Sequence, residues 1–200
     1  MGAQGRSSRV AAILFALLLS IPAAAQTGHG DPLSAIRIDN FGRINPNYFR
    51  GAQPVGQDYS DLAALGVKTV IDLTMDGDPS EAGIVQGLGM SFRRIPMTTR
   101  QNPSADQLAA FLQLVNDPAS QPVYVHCQGG RHRTGVMTAV YRMTNDGWSP
   151  DKAFSEMKQF NYGPDFLHPE FKRFVYSYQA QPASAPAPNT VLAAAPAPAN

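Results

Sequence analysis

The chain has a single cysteine, Cys127, among its 200 residues. No disulfide can form within it, and no zinc site built on several thiolates. The four histidines, at positions 29, 126, 132 and 168, show no metal-ligand spacing such as HExxH, so no metal is expected. Charge is scarce as well: Asp, Glu, Lys and Arg make up 16% and leave a formal net charge of +1. There is no basic excess to hold nucleic acid and no acidic run to solvate a tail. No apolar run reaches the ~20 residues that cross a bilayer. Repeats are absent, and so are the compositions of collagen or a coiled coil.

What is present suits one domain with appendages. Hydrophobic residues reach 44%, enough for an ordinary core. Residues 1–25 read as a secretory signal. Arg6 and Arg9 form a charged start, residues 10–21 (VAAILFALLLSI) an apolar stretch, and Ala23 and Ala25 the small positions of a cleavage site after Ala25. Cleavage removes two arginines and no acid, so the formal charge falls from +1 to −1. The expected product is exported, periplasmic or secreted, with no membrane span left. Residues 179–200 hold two APAP segments and no charge, and are expected to be a disordered Ala/Pro tail. The folded domain is then residues 32–178.

Within it, short β-branched runs alternate with helix starts. Residues 67–73 (VKTVIDL), 91–95 (SFRRI) and 122–126 (PVYVH) predict strands. Residues 59–65 predict a short helix. Asp78-Pro79-Ser80-Glu81 predicts a second, with Asp78 as N-cap, Pro79 first and Glu81 as the acid at the third position. Ser104 and Gln107 form a capping box for a third, running to about Val115, and Ser149-Pro150 opens a later one carrying Phe154 and Met157 on its apolar face. The alternation predicts an α/β fold, a central, mostly parallel sheet flanked by helices on both faces.

One segment carries chemistry: Val123-Tyr-Val-His-Cys127-Gln-Gly-Gly-Arg-His-Arg133-Thr-Gly135. A buried strand ends at a cysteine, a glycine-containing loop with Arg133, Thr134 and Gly135 follows, and then comes an apolar helix carrying Val136, Met137, Ala139, Val140 and Met143. Converging backbone N–H groups and the helix dipole make such a loop an anion site. The same field favours a thiolate, and so a nucleophile, at Cys127. The guanidinium of Arg133 is a planar fork that binds two phosphate oxygens at once. A nucleophile beneath an anion cradle with a clamp at its rim is what phosphoryl transfer requires. The bland alternative is an inert buried cysteine beside a basic turn.

His126-Cys127-x5-Arg133-Thr134-Gly135 resembles the signature loop of the cysteine-dependent protein tyrosine phosphatases, in the dual-specificity branch. HCQGGRHRTG is similar to the loop of the atypical plant and fungal members, some of which act on inositol pyrophosphates, and of their bacterial relatives. Residues 47–54 (NYFRGAQP) and 67–73 resemble the "YRSxQP" and "GIKTVINL" segments of those bacterial proteins. The resemblance covers about residues 40–162 and implies the phosphatase fold, a thiophosphoryl intermediate on Cys127 and no cofactor. It implies that Arg133 binds the phosphate, that Thr134 hydrogen-bonds the sulfur, and that His126 positions the loop. Backbone groups of Gln128, Gly129, Gly130, Arg131, His132 and Arg133 would cradle the oxygens. Substrates would be phosphorylated proteins or, alternatively, polyanionic inositol phosphates. Rhodanese-like sulfurtransferases share a strand-to-helix cysteine loop but usually lack the Arg-Thr-Gly ending. A phosphate-binding module without turnover is the reading outside enzymes.

The match is incomplete at the general acid. The family places an aspartate some thirty residues before the cysteine, where this chain has Met97, Thr98 and Thr99. Asp106 is the nearest acid, although its place in the capping box suits the helix dipole alone. Asp76, at another strand end, is a second candidate. Arg131 and His132 are expected on the rim of the loop, His132 either facing substrate or packed on a neighbour. Arg50 is expected to pair with a core acid or to face the site.

Overall fold

The computed structural model describes residues 1–2 and 32–180. Nearly all of the expected signal and of the expected tail lies outside the described residues. Five strands form one mixed sheet in the order β1-β2-β5-β3-β4. They are β1 (Gly42–Asn45), β2 (Tyr48–Gly51), β3 (Thr69–Thr74), β4 (Ser91–Met97) and β5 (Val123–His126). β1 pairs antiparallel with β2, and every other pairing is parallel. The helices are α1 (Asp58–Ala64), α2 (Glu81–Gly87), α3 (Ala105–Asn116), α4 (Arg133–Asn145), α5 (Pro150–Gln159) and α6 (Pro169–Ser177).

Alternation along the buried strands supplies two cores. Val123 and Val125 join Ile71, Leu73, Phe111, Val136, Met157 and Phe171 on one face. Tyr124 joins Val70, Phe49, Leu62 and Val85 on the other. Strands buried on both faces read as continuous apolar runs, which is why β3 and β5 stand out in sequence. β5 is central, and its carboxyl end opens between β2 and β3. Open α/β sheets place ligands at that edge.

Most expected helix starts appear. Ser104 accepts from the N–H of Gln107 at 3.2 Å, and Gln107 returns a bond to the N–H of Ser104 at 2.8 Å. Ser149 caps α5 on the N–H of Lys152. The start of α2 differs. Asp78 accepts from the N–H and hydroxyl of Ser80, as a cap does, but the helix begins only at Glu81. Glu81 does not cap: its side chain is wholly buried beneath the sheet edge.

Candidate active site

The segment 127–132 leaves β5 and wraps into the first turn of α4. Its carbonyls are held from outside. Gln128 O accepts from the N–H of Gln53 at 3.2 Å. Gly130 O accepts from Asn40 Nδ2 at 2.9 Å and from Arg50 Nη2 at 2.5 Å, and Asn40 also reaches Gly129 O at 3.4 Å. Peptide planarity then turns the N–H groups of the following residues to the opposite, inner side. Those inward groups and the first turn of α4, which no side chain caps, point the positive ends of peptide dipoles at one space. Gly130 is held there for two reasons. Its φ is +63°, and a Cβ would lie 2.4 Å from the backbone carbon of Gly51.

Cys127 is buried at the base of this space, and lines a cavity with Thr99, Gln128, Gly129, Arg131, His132 and Arg133. Arg133 opens α4, and its Nη1 donates to the carbonyl of Met97, the last residue of β4, at 3.3 Å. Its Nε has no partner among the described residues and remains available to an anion. The buried hydroxyl of Thr134 is likewise unpartnered. The start of α4 is tied to β2, because Thr138 bonds both the carbonyl of Thr134 and the phenol of Tyr48.

His126 points away from the cavity. Its ring stacks on Tyr124, and its Nε2 lies 3.0 Å from Glu81 Oε1, within ion-pair distance but without hydrogen-bond alignment. Glu81 accepts from Gln53 at 2.7 Å and from Tyr59 at 3.3 Å. Burial and the adjacent carboxylate push the Tyr59 phenol up, so it stays a donor. Asp72, Glu81 and His126 present ligand atoms within 4.8 Å of one another, the spacing of a cation site. The guanidinium of Arg94 already sits there, 2.7 Å from Asp72 and 3.9 Å from Glu81, and supplies the positive charge a metal would. The cluster is a buried support under the loop, with the Arg94 guanidinium set against the two carboxylates.

Around the rim, Arg131 is half exposed, with Asp39 at 3.9 Å. His132 packs rather than facing outward. Its Nε2 meets the carbonyl of Tyr162 at 2.9 Å, and its ring lies 3.8 Å, centre to centre, from that of His168. Burial foremost, and then His168, push the His132 imidazole down.

Asp106 is not brought to the site. It stands exposed on the first turn of α3, away from the residues that line the cavities. The capping box at Ser104 fixes it there. Three residues that sequence reasoning missed or left open belong to the site instead. Asn40 and Arg50 hold the loop's carbonyls, and Glu81 supports His126. Among the described residues Arg50 neither pairs with an acid nor lines the cavity over Cys127. It is wholly buried, with Phe160 stacked at 4.0 Å. The positive φ of Asn40 has no signature in sequence, although Asn is among the few residues that tolerate it.

Comparison with known proteins finds relatives in both sequence and fold. The family model "DSP-PTPase phosphatase fused to NAD+ Kinase" matches residues 41–171. The dual specificity protein phosphatase TpbA of Pseudomonas aeruginosa is 32% identical over 161 residues, spanning 78% of this chain and 72% of its own. An inositol diphosphatase of Saccharomyces cerevisiae is 26% identical over 130 residues, 62% of this chain and 46% of that protein. Among solved structures, the core catalytic domain of a Saccharomyces cerevisiae PP-IP phosphatase superposes with a TM-score of 0.63 at 25% identity, covering 72% of this chain and 88% of that one. P. aeruginosa TpbA gives 0.62 at 26%, covering 70% and 86%.

Proposed function

Because the chain belongs to the DSP-PTPase family of cysteine-dependent phosphatases, we propose that it hydrolyses phosphate monoesters through a thiophosphoryl intermediate on Cys127. The observation that carries this reading is the buried thiol at the floor of a loop whose carbonyls at Gln128, Gly129 and Gly130 are held from outside. In the first step Sγ of Cys127 attacks phosphorus while the N–H groups of residues 128–133 and the fork of Arg133 take up charge on the equatorial oxygens. The unpartnered hydroxyl of Thr134 donates to the sulfur and stabilises it as a leaving group in the second step. His126 acts through the loop, held from behind by Glu81.

Phosphoproteins are the substrate class favoured. Support comes from TpbA, the 32% identical relative, a variant of which has been solved in complex with phosphotyrosine. A second reading, an inositol phosphate, has its own observation. A cavity of about 260 Å³ lined by Thr99, Arg100, Leu167, His168 and Glu170 adjoins the one over Cys127 at Thr99, with room and a cation for a second phosphate. Export is proposed on Arg6, Arg9, the apolar residues 10–21 and Ala25. Fractionation with mass spectrometry of the mature N-terminus, expected at Gln26, tests it.

The deciding experiment is phosphate release by purified protein, beside Cys127→Ser, from p-nitrophenyl phosphate, a phosphotyrosine peptide, a phosphoinositide and inositol hexakisphosphate. Release that depends on Cys127 is expected, with the peptide preferred. Release preferred from inositol hexakisphosphate selects the second reading. Anion binding without release from any substrate leaves a binding module.

A further inference from the structure

The loop after β4, where the family resemblance expects the general acid, runs Thr98, Thr99, Arg100, Gln101, Asn102 and carries no carboxyl group. A different strand end supplies one. β3 is the neighbour of β5 in the sheet, so the turn that follows it emerges at the same edge as the signature loop. Asp76 stands on that turn. It is the sole acid among Met75, Met97, Thr98, Thr99, Gln128 and Arg133, which line a cavity with it. Its Oδ1 lies 3.8 Å from Nη1 of Arg133, and its side chain is 90% exposed. The carboxyl group is therefore beside the phosphate clamp and not committed to any tight structural bond.

The turn itself is anchored on both sides of Asp76. Asp72 accepts from the N–H and the hydroxyl of Thr74, each at 2.8 Å. Arg94 donates to Asp72 at 2.7 Å and to the carbonyl of Asp78 at 2.9 Å. Between them, a Cβ on Gly77 would come within 2.4 Å of Asp72 Oδ2, so the turn rests directly on this ion pair. A catalytic carboxyl needs such support, since misplacement by an ångström costs rate steeply.

We propose that Asp76 is the general acid and base of this enzyme, an inference that rests on the phosphatase reading above. As Sγ of Cys127 forms its bond to phosphorus, the P–O ester bond breaks. The electron pair goes to the leaving oxygen, which takes the proton from the Asp76 carboxyl and departs as the alcohol. In the second step water attacks the thiophosphoryl group and passes its proton to the Asp76 carboxylate. The S–P bond breaks with its electrons returning to Sγ. Phosphate leaves, and both Cys127 and Asp76 are restored.

The test is kcat/KM of the purified full chain, wild type beside Asp76→Asn, Asp106→Asn and Cys127→Ser, on 2,4-dinitrophenyl, p-nitrophenyl and phenyl phosphate. Asp76→Asn is expected to lose about 100-fold or more on phenyl phosphate, and about threefold or less on the dinitrophenyl ester, whose leaving group needs no proton. The basic limb of its pH profile should flatten, vanadate inhibition should persist, and Asp106→Asn should match wild type. An equal loss on all three esters, no loss, or a selective loss in Asp106→Asn overturns the assignment. So does loss of vanadate inhibition in Asp76→Asn, which would make the residue a support of Arg133. Wild-type turnover that does not depend on Cys127 defeats the phosphatase reading itself, and Asp76 with it.

Discussion

The guanidinium of Arg50 donates to the carbonyl of Gly130 at 2.5 Å from within the core, with no carboxylate in ion-pair contact among the described residues. Burial pushes the Arg50 guanidinium down from its ordinary value, whereas Tyr48, Glu156 and then Cys127 hold it up. A buried cation without a carboxylate costs stability unless something negative comes near. Glu156 supplies part of that charge, and Cys127 in the loop adds to it.

Arg50→Met should therefore separate activity from stability. Its kcat/KM is expected to fall at least about tenfold, one charge-assisted hydrogen bond's worth, and the pH midpoint of Cys127 alkylation by iodoacetamide should rise. The thermal midpoint should change little, because a desolvation cost is removed along with the bond. An unchanged alkylation midpoint would show that Arg50 only packs.

Gly130→Ala should abolish vanadate binding and Cys127-dependent turnover. The added Cβ meets the backbone of Gly51 and Ala52 at 2.4–2.7 Å, and neither strand end nor loop can give way. Gly129→Ala is the control, since its Cβ meets only the flexible Arg131 side chain at 3.7 Å. Isothermal titration with vanadate reads both.

Arg133→Lys should lower kcat/KM by about 10²–10³, because an ammonium replaces a two-pronged donor with a point charge. Anion binding should weaken in the same variant. A loss below about tenfold, by steady-state kinetics, would mean that the N–H cradle alone carries the transition state.

Glu81→Ala should destabilise the protein by about 3–5 kcal/mol, since it leaves His126, Arg94, Tyr59 and Gln53 facing an empty buried position. Glu81→Gln keeps an acceptor for Gln53 and Tyr59 and should cost less. Urea unfolding of the two variants checks the order.

Acidification should weaken the rim. His132 titrates lower when folded than its ordinary 6.5, held down by burial, by His168 from the start of α6, and by Arg131 and Arg133 beside it. The unfolded chain then binds more protons through that window, so stability is full above 6.5 and declines as pH falls through it towards the folded value. The thermal midpoint should drop between about pH 7.5 and about pH 5, and His132→Gln should flatten that slope.

The parts legible in the sequence share one physical trait: their signal is local. β3 and β5 are apolar on both faces, and the boxes at Ser104 and Ser149 close over three residues. β1 escaped because four residues with one buried side chain carry no alternation. Glu81 misled because an acid three residues after Asp78 has the spacing of a helix cap, while the parallel pairing of β3 with β5 brought it under His126.

Cys127, Arg133 and Thr134 lie within eight residues on one strand-loop-helix unit, so the sequence by itself determined the family and placed the proposed nucleophile and clamp together. The partners that make the unit work come from four separate segments. Asn40 and Arg50 turn the loop's carbonyls outward, Glu81 backs His126, and Asp76 reaches Arg133. Each was decided only by tertiary structure, because crossovers to adjacent parallel strands bring together groups that no local spacing relates.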